Sequence, residues 1–156
     1  MKKNFYLSVF IIISCSYISP AIAKSAYEQA LGEIVSKDQD TLTTMNAMNL
    51  ASIYTANAYL FVCSDDPEIT EEKKFSFSDN KKHITESSLN DLHDTLQPQL
   101  NNVQKAAQEE IIDQGCESKM GLRGKKAFKL YVGMTPEKFQ IFNAIVSSKL
   151  KEKNLK

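Results

Sequence analysis

The residues with the most reactive side chains are few: three cysteines (Cys15, Cys63, Cys116) and two histidines (His83, His93). Neither Cys63 nor Cys116 has a histidine beside it, and no Cys-x-x-Cys or Cys-x-x-Cys-His spacing occurs, so neither zinc nor haem attachment is indicated. His83 and His93 are ten residues apart, about 80° out of register on a helix, and His83-x-x-Glu86 reverses the Glu-x-x-His order of ferritin-like metal sites. The reading of His93 is a partly buried, hydrogen-bonded side chain at the edge of a leucine stripe, and no metal or cofactor is implied. The acidic run Asp65-Asp66-Pro67-Glu68 with Glu71-Glu72 lacks the alternating ligands and the glycine of a calcium loop; Asp65 or Asp66 is expected to cap a helix after Pro67. Gly121-Leu122-Arg123-Gly124-Lys125-Lys126 only superficially resembles a phosphate loop, because the Walker spacing is missing. No Gly-x-Ser-x-Gly elbow is present. An enzyme would therefore have to draw a carboxylate pair from Glu109, Glu110 or residues 64–72, as in a hydrolase of envelope polymers.

Charge is segregated along the chain. Between Lys119 and Lys156 ten basic residues face two acidic ones, a net +8, whereas Lys24 to Ser118 carries −10. Either the two parts neutralise each other across the fold, or Arg123, Lys125, Lys126 and Lys129 form a basic face that docks an anionic partner. Aromatic–basic interleaving goes no further than Phe128 and Tyr131, so nothing points to nucleic acid.

The N-terminal segment sets the compartment in which this chemistry would operate. Lys2 and Lys3 precede an apolar run from Phe5 to Ile18, and Pro20-Ala21-Ile22-Ala23 ends in small residues. Residues 1–23 thus read as a signal peptide cleaved after Ala23, which places the protein in the periplasm or envelope. Two alternatives exist: retention of the uncharged stretch as an anchor, or lipidation of Cys15 at the lipobox-like Ile12-Ile13-Ser14-Cys15, which would hold the protein at a membrane. Cleavage removes Cys15, so Cys63 and Cys116 are expected to pair as a disulfide in an oxidising compartment, with free thiols or a metal pair as the alternatives.

The elements that must carry these groups are helical. The composition, 42% apolar and 24% charged in 156 residues, is that of one globular domain, residues 24–156. Residues 25–36 have helical spacing, with Ser25 as N-cap. Asp40 to Cys63 carries Leu42, Met45, Asn49, Ile53, Ala56, Leu60 and Cys63 on one stripe and is expected to be the central helix. Leu89, Leu92, Leu96, Leu100, Val103, Ala107 and Ile111 form a second stripe ended by Gly115, with a kink or a new helix expected at Pro98. Thr135 and Pro136 start a last helix with Phe139, Phe142, Ile145, Val146 and Leu150 on its inner face. Residues 64–82 read as a long loop, and 116–134 as loop or partial helix with strand-like alternation at 127–132. The expectation is an all-α bundle of four or five helices stapled by one disulfide. Its expected function is binding another macromolecule, a protein in the cell envelope, as a secretion or conjugation accessory, an inhibitor or a toxin-immunity protein.

Overall fold

The computed structural model describes residues 24–35 and 39–154; the segment expected to be a signal peptide, with Cys15 and the lipobox-like sequence, lies outside the described residues. Six α-helices follow in order: α1 (Ala26–Ile34), α2 (Thr41–Val62), α3 (Glu71–His83), α4 (Asn90–Gln114), α5 (Lys119–Val132) and α6 (Pro136–Asn154). A π-helical turn, Ile84–Ser88, joins α3 to α4, and no strand occurs among the described residues.

Helices α1 and α2 start where side chains can satisfy the first backbone N–H groups. Ser25 and Glu28 form a reciprocal capping box on α1, and the Asp40 carboxylate accepts from the Thr43 N–H at the start of α2. Helix α2 carries Ala47, Leu50, Ile53, Ala56, Ala58 and Tyr59 fully buried, on more than one side of its circumference. That is the pattern of a helix surrounded by others; α4 and α5 are its main neighbours, and α1 packs on both α2 and α4. Burial of Leu96, Leu100, Val103, Ala107 and Ile111 fixes α4. It ends at Gly115, whose φ of 92° lies in the left-handed region open to glycine.

Four expectations require correction. Residues 64–82 are not a long loop, because α3 occupies 71–83. Its sequence hides it, since only Phe77 and Asn80 are buried and no apolar stripe forms. Local chemistry supplies the rest: Thr70 caps, Glu71 and Glu72 sit in the first turn, and Lys81, Lys82 and His83 in the last. Asp65 and Asp66 are not the cap of that helix. Residues 119–132 are one helix, α5, with Met120, Gly124, Ala127, Phe128 and Tyr131 buried at helical spacing. Of the two outcomes expected at Pro98, no new helix starts there, and α4 runs on as one helix with Pro98 inside it. Pro98 is exposed, so the carbonyl it leaves unpaired can be met by water, which lowers the cost of an interior proline. The count among the described residues is therefore six rather than four or five.

The sixth helix departs from its expected packing. Of the apolar residues assigned to its inner face, Phe139 is buried (1% exposed), Val146 and Leu150 are half-buried, and Phe142 (37%) and Ile145 (50%) are exposed. The helix touches only α2 and the π-helical turn to any extent.

Two glycines allow α5 to approach its neighbours. A Cβ on Gly124 would stand 2.6 Å from the Tyr59 Cβ and 3.1 Å from the Thr55 carbonyl oxygen of α2. A Cβ on Gly121 would stand 2.0 Å from the Cys116 carbonyl oxygen. The glycines that look like helix breakers are thus what seats α5 against α2 and against the loop before it. Cys63, just after α2, and Cys116, just before α5, are joined in a disulfide with a Cα–Cα distance of 5.9 Å. The staple and the Gly124 approach hold the same two helices together.

Candidate functional site

Arg123, Lys125, Lys126 and Lys129 all lie on α5, but they divide into two sets. Lys125 and Lys129 face the segment between α2 and α3. Lys125 Nζ donates to Asp66 Oδ2 (2.8 Å) and lies 3.0 Å from Glu68 Oε1, and Lys129 Nζ pairs with Glu68 Oε2. The Tyr59 hydroxyl donates to Asp66 Oδ2 (2.5 Å), and Asp66 Oδ1 accepts from the Glu68 N–H. These bonds favour charged carboxylates. The Lys125 ammonium, aided by Tyr59, holds Asp66 well below the usual carboxylate range, and Lys129, aided by Lys125, lowers Glu68. The two carboxylates raise Lys125 in turn, and burial together with the Asp66 bond raises the Tyr59 phenol. Asp66 and Glu68 of the acidic run are thus neutralised by the basic helix, and Asp66 locks the α2–α3 turn onto α5.

Lys119, Arg123 and Lys126 belong to the other set. They advance at i, i+4 and i+7 along α5, and none meets a carboxylate among the described residues. Together with Leu122, Leu130 and Ser52 of α2 they line an open groove of about 520 Å³. Leu122 and Leu130 are 41% and 51% exposed, an apolar floor left uncovered between cations. The Arg123 guanidinium lies 5.3 Å above the Tyr27 ring, a cation–π contact that orients it. Tyr27 is itself fixed from α1 by a 2.8 Å hydrogen bond between its hydroxyl and Thr55 Oγ1 of α2. Lys119, Leu122 and Leu130 escape a reading that leaves 116–134 irregular. Their signal is the helical spacing, which becomes visible once both glycines are placed inside a helix.

The other candidates lie apart from this groove. His93 Nε2 is 2.9 Å from the Tyr54 hydroxyl, and its Nδ1 is 3.7 Å from Asp94; His83 lies 3.9 Å from Asp79. Among the described residues no three His, Cys, Asp or Glu side chains are grouped so as to hold a metal ion. Of the acids considered for hydrolysis, Asp66 and Glu68 are tied to lysines, and Glu109 sits 3.9 Å from Lys105 at the surface. No described helix is long and apolar enough to cross a membrane.

No family model, no curated protein and no solved structure matches this chain. The class is therefore given by the fold and the groove alone: a disulfide-stapled all-α protein with a cationic, apolar-floored groove along one helix.

Proposed function

We propose that this is an exported protein of the periplasm or envelope that works by binding another macromolecule, with the exposed face of α5 as its docking surface. An accessory of secretion or conjugation, an inhibitor and a toxin-immunity protein all share this mode of action. The observation that carries the reading is the contrast within α5: Lys125 and Lys129 are neutralised by Asp66 and Glu68, whereas Lys119, Arg123 and Lys126 meet no carboxylate among the described residues and stand beside exposed Leu122 and Leu130. An uncovered mixture of cations and apolar side chains favours an anionic partner with apolar groups of its own, since the field steers association and apolar burial retains the complex. The export reading supports a partner in the envelope and rests on residues 1–23. A disulfide between Cys63 and Cys116 agrees with an oxidising compartment.

Affinity purification from envelope extracts tests this reading. The wild-type protein should recover one stoichiometric partner at low salt and less of it at high salt, because screening weakens exposed charge contacts. The R123E/K126E variant should lose it. No partner at any ionic strength, or a partner indifferent to the charge reversal, overturns the reading. Peptide mapping of the same sample reports whether the chain begins at Lys24 or at an acylated Cys15.

A further inference from the structure

We infer that the α5 groove receives an acidic amphipathic helix of a partner protein, laid along α5 with carboxylates opposite Lys119, Arg123 and Lys126 and an apolar side chain between Leu122 and Leu130. This inference rests on the reading of α5 as a docking face and narrows it to one class of partner.

Three observations select that class. The first is spacing. Lys119, Arg123 and Lys126 follow one another at about 6 Å and about 4.5 Å along the axis, the rise of four and three helical residues. A second helix carrying Asp or Glu at the same i, i+4, i+7 interval presents its carboxylates at matching steps, as flanking charges do between paired helices. The second is the floor. Leu122 and Leu130 are eight residues apart and stand among the cations, so a purely anionic polymer would leave them in water, whereas an amphipathic helix covers them. The third is shape and stiffness. The site is an open groove along α5 bordered by Ser52 of α2, and α5 is held by the Cys63–Cys116 disulfide, by the contact of Gly124 with Tyr59 and by the Asp66–Lys125 pair. A rigid, preformed surface lowers the ordering cost of laying a second helix along it. Helix α5 itself has five basic and no acidic residues, so no charge of its own would repel such a partner.

Binding measurements on the oxidised protein, as the cell processes it, separate the possibilities. The probes are a synthetic helix of about 18 residues with a leucine stripe and glutamates at i, i+4 and i+7, a scramble of the same composition, poly-glutamate, and phosphatidylcholine vesicles with about one-third phosphatidylglycerol. The patterned peptide should bind at least about tenfold more tightly than the scramble. It should perturb the amide resonances of Lys119, Leu122, Arg123, Lys126 and Leu130, and lose at least about tenfold with either R123E/K126E or L122S/L130S. All four altered positions are exposed, and circular dichroism verifies that the variants fold. If the scramble, poly-glutamate or the vesicles bind as well as the patterned peptide and R123E/K126E abolishes that binding, the helical partner is refuted while the cationic docking face stands. If no probe binds, or binding ignores R123E/K126E, both readings fall.

Discussion

Removing the Cys63–Cys116 link should cost this protein a large part of its stability. The closed loop spans a sequence separation of 53 residues. In the chain-entropy treatment, cross-linking ends that far apart raises the free energy of the unfolded ensemble by about 4 kcal/mol at 25 °C. Domains of ordinary size are stable by only about 5–15 kcal/mol, so a loss of that size is a substantial fraction of the total. The clean perturbation is C63A/C116A, since Cys63 is 4% exposed and a serine there would bury an extra hydroxyl. With a urea dependence of about 2 kcal/mol per molar, the midpoint followed by far-ultraviolet circular dichroism should fall by about 2 M relative to the oxidised wild type. The helical spectrum before the transition should be retained, because the helices are capped and packed independently of the sulfurs. A midpoint shift below about 0.5 M would refute the reasoning. It would mean that the unfolded chain already holds these segments near one another, or that the oxidised protein is not linked between these residues.

Three further outcomes follow from the same structure. Gly124→Ala should lower stability by about 1–2 kcal/mol despite the better helix propensity of alanine, because the new methyl meets the Tyr59 Cβ; Gly32→Ala in α1, with open space around it, should raise stability by up to about 1 kcal/mol, both read from urea midpoints. Asp66 and Glu68 have lowered carboxyl pKa values in the folded protein, so their stabilising contribution is present above the ordinary values of 3.8 and 4.5 and is lost as pH falls below them, whereas that of Lys125, whose pKa is raised, is lost only above the ordinary lysine value of 10.5. Thermal melts of D66N against wild type should therefore show a shallower acid limb in the variant, and parallel curves would contradict the assignment of the lock. In α6, Phe139→Ala should cost about 3 kcal/mol or more and Ile145→Ser less than about 0.5 kcal/mol, an asymmetry that equal losses would disprove.

The amino-acid sequence determined the helices whose apolar residues recur at one face and whose ends carry capping side chains. Helices α1, α2 and α4 were legible from periodicity, and α1 and α2 from their caps as well, because these are local properties of the chain; the pairing of Cys63 with Cys116 was legible by count, as the two cysteines outside the N-terminal segment. What the tertiary structure alone decided were features that depend on contacts between distant segments. Helix α3 buries only Phe77 and Asn80 and is held by others: the Asn80 amide donates to the carbonyls of Tyr131 and Val132 on α5, so no apolar stripe within residues 71–83 announces it, and only its cap and end charges are local signals. Gly121 and Gly124 read locally as interruptions, and only the nearness of the Cys116 carbonyl and of Tyr59 reveals them as the points where α5 must lack a side chain. The docking face was half legible. Its basic residues could be counted from the sequence, but which of them stay uncompensated depends on where Asp66 and Glu68 come to rest, some sixty residues away along the chain and about 3 Å away in space.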